Sequence, residues 1–367
     1  MSTKRVQKRA PLSRGDRAPN FFLPDHLQAI ISLYDKVRGG PIVLFFYREQ
    51  PDEPDREERQ RFVALAPEFH ESGAHLFAIG GGPVAAIAAL AQHHEPGPMF
   101  AVADPEHKAA ASYGVDGKCA AFLLDPNQRV LQYLEPGDTP IADRALDAVR
   151  RLPSSTPTHP AMHPPVLLIP NVFDADFCRY LIAQFWARGN SESNVFRVDK
   201  GKVEHVPNHA DKRRRDHYVT DDDLHKKIGG IMSRRVIPEI RRAFQFQITR
   251  IEQFKIVCYD PEPGGYFRPH RDNTSPPTVH RRFAMTLNLN AENYEGGELC
   301  FPEYGGARYR PATGDAIVFS CNLLHEATDV IGGKRYVLLS FLFDEAGQKQ
   351  RETFHREMQK REAQKSP

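Results

Sequence analysis

FRPHRDNTS at 267–275 and AIVFSCNLLHEATDVIGGKRYVLLSFLF at 316–343 decide how this 367-residue chain is read. His270 and Asp272 are two residues apart, so on a strand both side chains leave the same face. One imidazole and one carboxylate can then grip the same ion. His325 arrives at the end of an apolar strand and completes a set of two histidines and one carboxylate. Such a facial set leaves adjacent positions open, the arrangement of non-haem iron sites at which a co-substrate and O2 bind together. Ile331-Gly332-Gly333 reads as a turn, so a hairpin is expected to return the strand that begins at Arg335 alongside His325. Arg335 would then project into the same cavity as a bidentate anchor for a carboxylate.

A bare H-x-D carries little weight, and the chain holds a second one, His209-Ala210-Asp211. That one lies in VPNHADKRRRDHYVT, without strand pattern and against a basic run, and reads as solvated loop. The four residues together raise the first above its bland alternative, a structural histidine beside a surface aspartate. Around them, from about 250 onward, come short strand-like runs separated by Gly, Pro and Asn turns: IEQFKIVCYD, FAMTLNLN, GELCFPE, DAIVFSC and YVLLSFLF. ADFCRYLIAQFWARG (175–189) and DDLHKKIGGIMSRRVIPEIRRAF (222–244) precede them with helical spacing. Many short strands after a helical prelude predict a jelly roll or barrel.

The first half has a different grammar. GPIVLFFY (40–47) and AHLFAIG (74–80) are continuous apolar runs, as expected of strands covered on both faces. REERQRFVALAPEFHE between them is helical but broken at Pro67, and PVAAIAALAQHHE (83–95) is a second helix. MFAVAD (99–104) reads as a strand and HKAAASYGV as a short helix. AAFLLD and VLQYLEP form a hairpin about Pro126-Asn127-Gln128, and IADRALDAVRRL (141–152) closes the unit. That order predicts a three-layer α/β domain over residues 10–152. PSSTPTHPAMHPP (153–165), with five prolines and no periodicity, reads as a semi-stiff linker. The second domain is placed at 166–345 and a charged tail, read as a frayed helix, at 346–367.

Composition narrows the classes. The mix of 26% charged and 40% hydrophobic residues excludes a wholly disordered chain. A net charge of +2 supplies no field to capture nucleic acid or an anionic membrane. No apolar run approaches the ~18–20 residues of a membrane span, and the basic N-terminus lacks the apolar core of a signal peptide. Five cysteines with no C-x-x-C argue against a disulfide framework or structural zinc, and for a reducing, cytoplasmic compartment.

The stretch from about 164 to 343 resembles the prolyl 4-hydroxylase-type 2-oxoglutarate/Fe(II) dioxygenases. The resemblance lies in VLLIPNVFDADFCRYLI, YDPEPGGYFRPHRD, TLNLN, YEGGELCFP and PATGDAIVFSCNLLHEATDVIGGKRY, in that order. It implies a double-stranded β-helix with N-terminal helices. It maps the iron ligands to His270, Asp272 and His325 and the 2-oxoglutarate anchor to Arg335. Tyr259 falls in the family's tyrosine position as a hydrogen-bond partner of the co-substrate, with an ordinary half-buried strand tyrosine as the alternative. The turn before Arg335 is longer than the family's. The activity implied is hydroxylation of an unactivated C–H with Fe(II), 2-oxoglutarate and O2, releasing succinate and CO2, with ascorbate as reductant. A prolyl or other protein side chain is the expected substrate and a small molecule its rival; a non-catalytic binding or sensor protein is the alternative from another class.

RGDRAPNFFLPDH (14–26), GPIVLFFY, VADPEHKAAASYGV and AAFLLDPNQRVL resemble a peroxiredoxin domain of the thioredoxin fold. That family carries its peroxidatic cysteine at a helix start after the first long strand. Here the segment reads YREQPDEPDREER (47–59), rich in carboxylates and without cysteine. Lys118-Cys119 occupies the place of the supporting arginine, and Cys119 reads as a buried strand cysteine. The domain is thus expected to be a docking scaffold rather than a peroxidase. KRRR (212–215) and SRRVIPEIRR (233–242) read as solvated faces, GGG (80–82) as a strand-to-helix turn, and His93, His94 and His280 as surface or packing residues. Trp186 is expected to pack its helix on the sheet, and the irregular segment 190–222 to form a lid.

Overall fold

The computed structural model describes residues 10–37, 39–50, 52–91, 99–153, 163–193, 195–199, 202–206 and 208–363, leaving aside the side chains of 88–91, 195–199, 202–206 and 361–363. The chain divides into two compact units, Met1–Pro157 and Thr158–Pro367. His93, His94 and the heart of the proline-rich stretch, 154–162, lie outside the described residues.

In the first unit the apolar runs become a five-stranded mixed sheet. Strands β1 (Ile42–Tyr47), β2 (His75–Gly80) and β3 (Met99–Ala103) are parallel, while β4 (Ala120–Leu124) and β5 (Val130–Leu134) add antiparallel on the other side of β1. Every residue of β1 is buried because both faces are covered. Val43, Phe45 and Tyr47 pack under α1 (Glu53–Glu71) and α4 (Ile141–Arg150). Ile42, Leu44 and Phe46 pack on the other face with Tyr113 of α3 (Lys108–Tyr113). Between β2 and β3 runs α2 (Val84–Ala91). This is the thioredoxin-like fold. Pro67 does not break α1, which runs through it. A helix anchored by Phe62, Leu65, Ala66 and Phe69 tolerates the one backbone bond that proline removes.

The second unit is a double-stranded β-helix of two facing sheets. The major sheet orders β6 (Val166–Ile169), β13 (Ala316–Ser320), β11 (Phe283–Asn288), β15 (Arg335–Phe343), β9 (Lys255–Tyr259) and β8 (Arg215–Tyr218). The minor sheet orders β7 (Lys212–Arg213), β10 (Gly265–His270), β14 (His325–Gly333) and β12 (Leu299–Cys300). Helices α5 (Ala175–Ala187), α6 (Asp222–Arg235) and α7 (Ile237–Phe244) cover the outer face of the major sheet through Phe185, Ile228, Met232 and Ile240. Asp174 and Asp221 start α5 and α6 by accepting the Phe177 and Leu224 amides at 2.7 and 2.8 Å. The run 222–244 is two helices rather than one, parted at Val236.

Two expectations are corrected here. The strand beginning at Arg335 does not return beside His325; β14 extends through Gly333, and β15 crosses to the opposite sheet, where it lies between β9 and β11. Gly333 makes the crossing with φ +66°, and a Cβ there would meet the Asn293 carbonyl at 2.1 Å, so only glycine fits. Trp186 is 55% exposed and reaches out to donate to the Tyr336 hydroxyl at 3.0 Å, while its neighbour Phe185 supplies the packing. The charged tail forms a regular helix, α8 (Glu345–Ala363). Within 190–222, residues 194, 200–201 and 207 fall outside the described residues; Val195–Asp199 and Lys202–Val206 pair as an antiparallel hairpin, and the chain then enters the minor sheet at β7.

Candidate functional site

His270 closes β10 and His325 opens β14, and the two are register partners across the minor sheet. Asp272 follows on the same side, its amide donating to the Cys321 carbonyl at 2.9 Å. The Nε2 atoms of His270 and His325 lie 3.5 and 3.3 Å from the two Asp272 oxygens. One ligand atom from each residue falls within 4.8 Å of the others, a group able to hold a metal ion. The Nδ1 atoms of His270 and His325 meet the Arg268 and Leu323 carbonyls at 2.8 and 2.9 Å. A backbone carbonyl only accepts, so each Nδ1 carries the proton and each Nε2 offers a lone pair to the common centre. Phe267 stacks on His270 with ring centroids 3.4 Å apart, and Phe319 sits edge-on to His325 at 4.6 Å.

Protonation suits a cation. Burial would raise the Asp272 carboxyl, but His325 and the hydrogen bond from His270 outweigh it and hold the group well below the usual carboxylate range. Burial lowers His325 against the opposing pull of Asp272, which keeps its imidazole neutral. Behind Asp272, Arg281 ties the site to the sheet: it pairs with Glu252 at 2.7 and 3.0 Å and reaches the Asp272 carbonyl at 3.4 Å. His280 is 3% exposed and shares Glu252 at 2.8 Å, which accounts for it as a packing residue.

Arg335 stands opposite Tyr259 in register on the inner face of the major sheet. It is 4% exposed, its guanidinium lies 5.0 Å from the Tyr259 ring centre, and its Nε has no hydrogen-bond partner. Among the described residues no carboxylate pairs with it. A Cβ at Gly297 would lie 3.0 Å from the Arg335 Cδ, so glycine makes room for the arginine stem. Tyr259 is buried, and its hydroxyl accepts from Arg214 Nη1 at 3.1 Å. Arg335, Tyr259 and the three candidate ligands all line one cavity of about 1080 Å³.

The basic run KRRR is a solvated face only in part: Arg215 is exposed, but the run's alternate residues are not. Lys212 and Arg214 turn inward to the cavity with Asp216 and Tyr218. Arg214 pairs with Asp216 at 3.0 Å, and Ser193 donates to the same carboxylate at 2.8 Å. Lys212 is 6% exposed with its ammonium 5.2 Å from the Phe267 ring centre, and burial together with Arg214 pushes it down to about 7. The alternation Lys212, Arg214, Asp216, Tyr218 was the available sign, a period of two inside a run whose average polarity points to solvent. The tail also contributes: Arg351, Phe354 and Met358 of α8 line the cavity at i, i+3 and i+7. By contrast, His209 is exposed and bonded to Glu192 at 2.5 Å, so the second H-x-D stays apart from the cluster.

Residues 254–343 match the model of the 2OG-Fe(II) oxygenase superfamily, and residues 14–133 match that of the AhpC/TSA family. The chain joins a 2OG-Fe(II) oxygenase region to an AhpC/TSA region. No curated protein matches the chain significantly. Among solved structures it is similar to a prolyl-4-hydroxylase of Pseudomonas putida (16% identity, 48% of this chain and 91% of that one, TM-score 0.36). It is also similar to a prolyl hydroxylase of Trichoplax adhaerens solved with a hypoxia inducible factor peptide fragment (18%, 51% and 86%, TM-score 0.41). The first unit is similar to the peroxidoxin BcpB of Mycobacterium tuberculosis (27%, 39% and 99%, TM-score 0.35). The match of residues 254–343 to the oxygenase superfamily model implies Fe(II), 2-oxoglutarate and O2, and the His-Asp-His group fits that set: two imidazole Nε2 atoms and an ionised carboxylate facing one point.

In the AhpC/TSA region the helix start after β1 holds Arg48 bound to both Asp52 and Asp55. Asp52 caps α1 by accepting the Asp55 amide at 3.2 Å. Cys119 is 5% exposed just before β4, and burial, reinforced by Asp55, pushes its thiol well up. A thiol held protonated by its surroundings is a poor nucleophile.

Proposed function

We propose that this protein is an Fe(II)- and 2-oxoglutarate-dependent dioxygenase that hydroxylates an unactivated C–H, with succinate and CO2 as co-products and ascorbate as a supporting reductant. The observation that carries the reading is one cavity in which His270, Asp272 and His325 converge while Arg335 presents a buried guanidinium with, among the described residues, no carboxylate of its own. The chemistry that a bound Fe(II) supplies is the coupling of 2-oxoglutarate decarboxylation by O2 to oxygen insertion in the second substrate.

The chain's own residues do the rest. The Arg268 and Leu323 carbonyls fix the tautomers that turn both Nε2 atoms inward. Arg335 receives the far carboxylate of 2-oxoglutarate as a charge-assisted pair, with its guanidinium 5.0 Å from the Tyr259 ring centre. Phe267 stacked on His270 and Phe319 edge-on to His325 hold the two imidazole rings in place. The cavity has room for a second substrate beside the co-substrate; a protein side chain, proline by family likeness, is the proposed target, with a small molecule as the alternative. The AhpC/TSA region is proposed as a scaffold that docks a partner or the substrate, since Cys119 is buried and raised. Succinate formation by the full chain with Fe(II), 2-oxoglutarate and O2 tests the reading: turnover supports it, and none in a folded, iron-loaded protein contradicts it.

A further inference from the structure

Strand register shows which end of the oxygenase cavity each group occupies. Phe319, edge-on to His325 at 4.6 Å, pairs with Ala284, and Ala284 pairs with Phe341. The candidate metal end is therefore level with Phe341, and the strand from Arg335 to Phe341 covers roughly 20 Å. On the oxygenase reading, 2-oxoglutarate takes the Arg335 side, which leaves the Phe341 side to the second substrate. Helix α8 begins on that side, at Glu345, directly after β15 ends at Phe343.

The first turns of α8 are pinned. Glu345 accepts from Arg250 at 3.0 and 3.3 Å, and Gln350 accepts from Arg282 at 2.9 Å. A Cβ at Gly347 would lie 2.6 Å from the His280 carbonyl, so glycine lets the helix close on the strand end. The next residue, Arg281, reaches the Asp272 carbonyl at 3.4 Å. Phe354 and Met358 are the only large apolar residues of α8, four apart on the face that lines the cavity. Both are half-buried, and among the described residues neither packs against a buried apolar cluster. An otherwise charged helix, fixed at its start, thus turns its two apolar side chains to the cavity rather than to the core. Taking that surface out of water favours an apolar group bound against it.

We propose that Phe354 and Met358 set the specificity for the second substrate by seating an apolar group of it on the Phe341 side of the metal centre. The inference rests on the oxygenase reading above and names the substrate class for that same site. An apolar residue of a peptide and a free apolar molecule share the recognising chemistry, and the test separates the two sources.

The test uses the full chain loaded with Fe(II) and saturated with 2-oxoglutarate, counting succinate with and without a second compound. One arm is free proline, leucine and phenylalanine, with serine and asparagine as polar counterparts. The other arm is acetylated, amidated pentapeptides with each of those five residues at the centre of four glycines. The expected result is that apolar members of one arm raise succinate release while the polar ones do not. Phe354→Ala then raises the half-saturating concentration of the apolar probe at least about tenfold, and Phe354→Leu restores most of it. Met358→Ala, one turn along, gives a loss in the same direction should the first variant fold poorly. Equal stimulation by polar and apolar probes, or no stimulation by any apolar probe in a protein that turns over 2-oxoglutarate, overturns the inference. A rise of the same size in the half-saturating 2-oxoglutarate concentration marks damage to the whole site and overturns it too. Absence of all succinate release overturns the oxygenase reading itself, and the inference with it.

Discussion

His270 and His325 face each other in register across two antiparallel strands, their rings 4.3 Å apart, although 55 positions separate them in the chain. The pairing of β10 with β14 therefore assembles the candidate metal centre, and Asp272 joins it by following His270 around the strand end. From this arrangement and its surroundings come five expected outcomes.

Arg335 is placed to carry the co-substrate's far carboxylate. Replacing it by leucine removes a charge-assisted pair of about 1.5–3 kcal/mol, so the half-saturating 2-oxoglutarate concentration for succinate formation should rise ten- to hundredfold. An unchanged value would remove Arg335 from the anchor role.

Protons compete with iron for the imidazoles. Burial keeps the His325 pKa below its ordinary 6.5 and Asp272 stays ionised, so both groups are ready for a cation at neutral pH. Fe(II) affinity of the full chain, titrated anaerobically, should be flat above about pH 7 and fall as pH drops below about 6.5. Affinity that already declines between pH 8 and 7 would contradict this protonation scheme.

The crossing at Gly333 delivers Arg335 to its sheet. Gly333→Ala adds a Cβ where the Asn293 carbonyl already stands and forces a left-handed conformation on a residue that resists it. A loss of about 1–3 kcal/mol is expected, read as a lower urea midpoint for the unfolding of the oxygenase region. A wild-type midpoint would mean that this corner relaxes freely.

All five cysteines are free and buried, Cys119 among them. The native protein should therefore show almost no thiol reactive to a disulfide dye at pH 7, and five after denaturation. Peroxide should be consumed no faster than by a thiol-free control. A rapidly reacting Cys119 would restore a thiol role to the AhpC/TSA region.

The triad and Arg335 were legible because each chemical group sits in local sequence context: H-x-D at a strand end, a histidine after an apolar strand, an arginine opening the next. The route of β15 was not, since a Gly-Gly pair reads as a hairpin turn, and only the contact of Gly333 with Asn293 shows a crossing instead. Lys212 and Arg214 were hidden for another reason. A two-residue strand is too short to display its alternation, and a basic run averages to solvent even when every second side chain is buried. Likewise α8 looks uniformly polar, yet Phe354 and Met358 lie on the one face it turns to the cavity. The thioredoxin-like half was the easiest to read, because strands covered on both faces are apolar throughout.

The most direct test of the account is succinate release from 2-oxoglutarate by the aerobic, Fe(II)-loaded full chain, compared with His270→Ala, Asp272→Ala and His325→Ala. The account predicts turnover in the native protein and a loss of at least a hundredfold in each variant, with bound iron falling in parallel. Native-level succinate release from a folded Asp272→Ala protein would contradict it.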